Sequence, residues 1–217
     1  MTTNEKPILF SGPMVRAILD GRKAMTRRVV QPQPRKVILS ARRGHVETSL
    51  NDPAGNWEWK GSIYGSHPRE FPPIASSCPY GVGGDRLWVR ETWALTANSD
   101  HDKACERWEL NRKGGVWYAA DGCQPSGCGG GMGKRRPSIF MPRWASRIDL
   151  EIESIRVERL QAITPEDCVA EGMPSKSPAF PRIDFAEGWD RINGEREGCS
   201  WADSPYVWVI SFRRIKP

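Results

Sequence analysis

Apolar residues in this chain fall into short runs of strand-like or helical spacing, separated by stretches rich in glycine, proline and asparagine. Residues 7–10 (Pro-Ile-Leu-Phe) predict a first strand. Ser11 or Gly12 then caps a helix, Pro13 fits its first turn, and Val15, Ile18 and Leu19 form one apolar stripe. Gly21 suits the left-handed position beyond its end. Residues 25–30 read as extended and stop at Pro32 and Pro34. The run 85–93 is a strand whose alternation puts Leu87, Val89, Glu91 and Trp93 on one face, a carboxylate in phase with three apolar residues.

Residues 148–160 form a long strand region that changes phase. Ile148, Leu150 and Ile152 share one parity and Ile155 and Val157 the other, so a bulge or bend is expected near Glu153-Ser154. A second helix starts at Thr164, a good N-cap, with Pro165 in first position and Glu166 and Asp167 in the first turn; it ends at Gly172. A loop-rich stretch follows, with a short helix around 185–193. The last run, 206–212, is apolar in both phases, as a central strand buried on two faces must be.

Two excursions interrupt these elements. Residues 33–79 are dominated by turn formers around an aromatic island of Trp57, Trp59 and Tyr64 and predict one hairpin; residues 97–137 turn from polar to glycine-rich and hold one strand at 116–120. The pattern therefore predicts a single α+β domain over 1–217, with two main helices and two long loop-rich insertions at about 33–79 and 97–137.

Composition sharpens this. The chain has 21 glycines and 18 prolines, which favours many short strands over a helical bundle, and ten tryptophans to fill a core. A net charge of +6 suits a polyanionic partner, nucleic acid first, or simply a basic face. No apolar run approaches the roughly 18 residues a membrane span needs, and the N-terminus lacks a signal-peptide core. The expected compartment is the bacterial cytosol, with reduced cysteines and no membrane partner.

The densest chemistry lies at the exit of the first helix, Gly21-Arg22-Lys23-Ala24-Met25-Thr26-Arg27-Arg28. A threonine hydroxyl becomes a nucleophile when a neighbouring base takes its proton, and a lysine serves if burial or nearby cations depress its pKa. Arg22, Arg27 and Arg28 supply cations. Three-residue spacing converges only if the chain is still turning after Lys23; the alternative is a solvated basic turn. Glu171 ends the second helix, where the negative pole of the macrodipole disfavours a carboxylate anion, which suits a proton donor; the alternative is an exposed helix-end residue. Glu91 is a competing carboxylate or the buried partner of an arginine such as Arg28. In Met141-Pro142-Arg143-Trp144-Ala145-Ser146-Arg147, an indole face can stack on a base while Arg143 and Arg147 hold phosphates, or Trp144 can plug the barrel with Arg147 at its rim.

Residues 129–134 are not a P-loop, since Cys128 replaces the first glycine and Arg135 follows Lys134 in place of a hydroxyl residue. His101, Cys105, Cys123 and Cys128 lack paired ligand spacing, and Cys78, Cys168 and Cys199 suit buried apolar positions, so neither a metal nor a cofactor is expected.

These motifs resemble the ASCH family, small β-barrel domains related to the PUA RNA-binding fold. The resemblance rests on the Gly-x-Lys-x-x-Thr-x-Arg run at 21–28, the Gly84-Asp85-Arg86-Leu87-Trp88-Val89 strand, and the capped helix Ile163-Thr164…Ala170-Glu171-Gly172-Met173. It covers about half the chain, roughly 6–31, 80–94, 138–173 and 204–215, and neither insertion. The run is most similar to that of small bacterial N4-acetylcytidine amidohydrolases. Trp144-Ala145-Ser146-Arg147 and Pro205-Tyr206-Val207-Trp208 resemble bacteriophage and prophage members, which implies a virus-encoded protein.

The resemblance implies a PUA-like β-barrel and a hydrolase that removes an acyl group from a modified nucleobase or nucleoside. In it Lys23 is the base, Thr26 the nucleophile and Glu171 the proton donor, with Arg28 or backbone N–H groups on the oxyanion. Other members carry Glu at the Thr26 position and bind or cleave RNA. That implies two alternatives: an RNA- or DNA-binding module in which Lys23, Arg27 and Arg28 hold phosphates, or an ASCH-type ribonuclease.

Overall fold

The computed structural model describes residues 4–31, 33, 78–95, 115–122, 134–172 and 181–215, together with the backbone of strands at 45–49, 56–62 and 76–77. The architecture is mixed α+β. A five-stranded sheet carries the fold: β1 (Glu5–Leu9), β2 (Met25–Val29), β6 (Arg86–Arg90), β9 (Asp149–Arg159) and β10 (Tyr206–Ile215), in the order β1-β6-β9-β10-β2. β1 and β6 are parallel and the other pairs antiparallel. Among the described residues three helices accompany it: α1 (Gly12–Leu19), α2 (Pro165–Ala170) and α3 (Pro181–Asn193). α3 begins four residues earlier than the spacing predicts and is the longest of the three. Phe185 and Trp189, four apart, bury its inner face, while the helix carries little other apolar sequence to announce it.

Both insertions contain strands. β3 (His45–Ser49) and β4 (Asn56–Ser62) form the expected hairpin, and β5 (Ser76–Ser77) adds a third strand to it. β7 (Trp93–Leu95) pairs with β8 (Val116–Tyr118). The run expected as one strand over 85–93 is thus two, broken at Glu91-Thr92.

β10 is central, as its sequence requires. Trp208, Ile210 and Phe212 face one core, shared with Ile8, Phe10, Val15, Ile18, Leu87, Val89 and Leu150. Val207 and Val209 face another, shared with Leu160, Ile163, Cys168, Phe185 and Trp189. The register of β9 against β10 passes from Ser154 to Ile152 between Ser211 and Phe212, so Glu153 is the extra residue of a bulge. That bulge is what lets β9 present Leu150 and Ile152 to the first core.

In a flat five-stranded sheet the edges would stand roughly 19 Å apart, at about 4.8 Å per spacing. Here Arg28 Nη2, on edge strand β2, donates to Leu9 O on edge strand β1 at 2.6 Å, so the sheet is strongly curled. Among the described residues no ladder joins β1 to β2. The sheet is therefore curled but open, and differs in this from the closed barrel that the resemblance implies. The Arg28 guanidinium of β2 lies 5.3 Å from the ring centroid of Phe10, which follows β1.

Both helices that lead to the site end the same way. After α1, Gly21 (φ 74°) lets its N–H reach Ile18 O and the N–H of Arg22 reach Ala17 O. After α2, Gly172 (φ 68°) donates to Val169 O. At the start of α2, Thr164 accepts a hydrogen bond from Asp167 N at 3.1 Å. Thr164→Ala should cost about 1 kcal/mol, read as a lower urea midpoint; an unchanged midpoint would show that the cap is redundant with Pro165.

Candidate active site

The two glycine-capped helix ends lie against each other. The backbone of Lys23 bridges that of Glu171, and the Ala24 N–H donates to Ala170 O at 2.9 Å. The Ala24 C=O instead accepts from Phe212 N, also at 2.9 Å. In a regular antiparallel strand both groups of one residue point to the same neighbour. At Ala24 they go to different ones, so the chain is turning between Lys23 and Met25.

Lys23, Thr26 and Glu171 are respectively 3%, 2% and 4% exposed. The Lys23 ammonium donates to Glu171 Oε2 (2.8 Å), Glu171 O (2.8 Å) and Met25 O (2.7 Å). It also lies 5.4 Å from the centroid of Phe10, with the Arg28 guanidinium 5.3 Å from the same ring. Thr26 pairs with Ile210 in the β2–β10 ladder. Strand alternation places it on the same face as Arg28 and opposite Arg27.

Burial pushes the Lys23 ammonium below its ordinary value of 10.5; Glu171 opposes this, and Arg28 and Arg27 add to it. Glu171, at the helix end, faces two cations. Besides Lys23 on Oε2, Arg27 Nη1 stands 3.5 Å from Oε1.

Sequence reasoning missed the rest of this network. Arg27 Nη2 pairs with both Glu158 and Asp167, and Arg156 pairs with the same two carboxylates at 3.2 and 2.7 Å. Three cations thus meet three carboxylates, Glu158, Asp167 and Glu171, and the group is neutral as a whole. Burial opposes the Arg27 charge, but Glu171, Glu158 and Asp167 outweigh it and hold the guanidinium above its ordinary value. A signal for the three missed members was present: Asp167 and Glu171 are four apart on one helix face, and Arg156 and Glu158 share a strand parity. Phe10 carried no such signal.

The other anticipated residues lie elsewhere. Glu91, 1% exposed, is paired not with Arg28 but with Arg147, which donates Nε to Oε1 at 2.9 Å and Nη2 to Oε2 at 3.1 Å. The chain turns after Arg90, which swings Glu91 toward the 143–147 segment. Arg147 also forks onto Asp121 at 2.9 and 2.7 Å and lies 3.9 Å from the Tyr118 ring centroid. Burial pushes Glu91 up while Arg147 opposes it. Trp144 packs edge-on against Trp93, with centroids 5.7 Å apart, in a cluster with Leu95 and Met141. Arg143 is engaged by Glu5 and Asp149, each at 3.0 Å, and exposed Arg22 by Asp20 at 2.8 Å.

These placements bear on phosphate binding. Lys23 and Arg27 are buried with their donors engaged, so neither presents itself to a phosphate. Cys78, Cys168 and Cys199 are free and buried. His101, Cys105, Cys123, Cys128 and the 129–133 glycine run lie outside the described residues. Among the described residues no group of three His, Cys, Asp or Glu side chains could hold a metal ion. No described helix is long and apolar enough to cross a membrane. Comparison with family models, with curated proteins and with solved structures finds no match to this chain.

Proposed function

We propose that this protein is a PUA-like, ASCH-type hydrolase that removes the acyl group from an N4-acylated cytosine. The observation that carries the proposal is the direct pairing of buried Lys23 with buried Glu171, with Thr26, also buried, following the turn at Ala24. Moving the shared proton from Nζ to Oε2 converts the ion pair into a neutral amine and a carboxylic acid. Those are the base and the acid the reaction needs.

In this scheme Lys23 takes the Thr26 proton as Oγ attacks the acyl carbon, and Arg28 or junction N–H groups hold the oxyanion. The C–N bond then breaks and Glu171 protonates the departing exocyclic amine. Water, losing its proton to Glu171, hydrolyses the threonine ester; the acid is released and the Thr26 hydroxyl regains the proton held on Lys23. Because all three residues are closed to solvent, substrate reaches Thr26 only when the cover over the site opens.

The test is incubation with N4-acetylcytidine, with chromatography for cytidine and acetate. Thr26→Ala should lower turnover by at least about a thousandfold. Raising the pH until the shared proton leaves the pair should lower the rate, on a limb centred below the 10.5 of an ordinary lysine, since Glu171 then has no proton to give the departing amine. Wild-type protein that releases no cytidine, or a Thr26→Ala variant of undiminished rate, would overturn the proposal.

A further inference from the structure

We propose that the turn at residues 138–140, with the outer face of β6 beside it, is a docking surface for single-stranded nucleic acid. Phe140 and Ile139 are 70% and 59% exposed, yet they are firmly held. Phe140 N donates to Pro137 O at 3.1 Å, Met141 N donates to Ser138 O at 3.0 Å, and Met141 is itself buried. The aromatic ring is thus displayed on a fixed turn, at the cost of leaving apolar surface in water.

The surroundings of the ring are cationic. Arg90 donates Nη1 to Ile139 O at 3.3 Å and lies 4.6 Å from the centroid of a Trp88 ring. Its Nε is buried with no acceptor, and among the described residues no carboxylate pairs with it. Arg143 reaches the same Trp88 from 5.9 Å, but Glu5 and Asp149 balance its charge, so it braces the turn instead of binding. Exposed Arg135 precedes the turn by three residues, and no carboxylate among the described residues pairs with it either.

A presented ring on a turn that Arg90 touches and exposed Arg135 precedes, neither of them balanced by a described carboxylate, meets the needs of a single strand, whose bases stack and whose phosphates pair. In a duplex the base faces are already covered, so Phe140 would have no role. This surface is not the 143–147 segment, whose Trp144 and Arg147 are spent on internal contacts.

The experiment is anisotropy of a labelled oligouridylate with the full chain over a salt series. Phe140→Ala should weaken binding about tenfold or more without moving the thermal midpoint. Arg135→Gln should reduce the slope of log affinity against log salt by ~0.7. Ile183→Ala, on the far helix α3, should change neither. The proposal fails if Phe140→Ala binds as wild type does, if a duplex of the same length binds as tightly, or if only phosphatidylserine vesicles bind. The assay reads polymer affinity and not turnover, so its failure leaves the hydrolase proposal standing, and the reverse holds too.

Discussion

Glu171→Ala is expected to lower the stability of the fold by about 3–5 kcal/mol, the largest effect of any single side-chain change at the site. The glutamate accepts from the buried Lys23 ammonium at 2.8 Å and neutralises part of the Arg27 charge. Truncating it leaves a cation in a space that water does not reach, with only two backbone carbonyls for company. The double variant Lys23→Met/Glu171→Leu should lose much less than the two single changes combined, because no uncompensated charge remains.

The sign of the pH dependence follows. Without its carboxylate partner Lys23 is pushed further below 10.5, so between the folded and unfolded values the unfolded chain binds more protons. Glu171→Ala should therefore recover stability relative to wild type as pH rises toward 10.5. Urea titrations across that range measure this directly. A loss under about 1 kcal/mol at neutral pH would mean that Lys23 is already uncharged, or that water enters the site.

Gly172→Ala should cost about 2–5 kcal/mol. A Cβ at this position would lie 2.7 Å from Lys23 Cβ and 2.8 Å from Ala17 Cβ, and the residue sits at φ 68°, where a side chain is strained. The strain alone is worth roughly 1–2 kcal/mol and the overpacking roughly 1–3 kcal/mol more. Gly21 is the control. It has φ 74°, but a Cβ there would meet nothing within 4 Å, so Gly21→Ala should cost only the strain. The difference between the two midpoints isolates the close approach of the helix ends. Because the displaced neighbour is Lys23, Gly172→Ala should also abolish cytidine release, whereas Gly21→Ala should retain it. Equal effects of the two substitutions would mean that the approach does not position Lys23.

The local signals in the chain were strong because each is settled within a few residues. Thr164-Pro165 with Asp167 specifies a helix start, and Gly21 and Gly172 specify helix ends, since only a residue without a side chain enters the left-handed region cheaply. The parity change around Glu153 specified the bulge, and the two-phase apolar run at 206–212 specified a strand between two cores. Where the chain could be wrong was in closure. Strand parity says which face a residue occupies but not whether the two edge strands meet, because that depends on how the whole sheet curls.

The candidate site divides in the same way. The junction run and the helix-end glutamate could be marked individually, from charge density and from the macrodipole. That Lys23 and Glu171, 148 positions apart, would touch came to the sequence only through family resemblance. Spacing could not supply it, because a contact over that separation depends on how two glycine-capped ends pack, not on any local preference. The partners of charged residues were the least predictable. Glu91 had an arginine in prospect but found Arg147 in place of Arg28, and Arg27 turned inward to carboxylates instead of outward to phosphate. A buried charge takes whichever opposite charge the tertiary fold brings within about 4 Å. Amino-acid order thus determined where helices begin and end, which strand lies between two cores and where charged residues concentrate. Only the packed structure decided which of those residues meet, because pairing of buried charges is a property of distance in space.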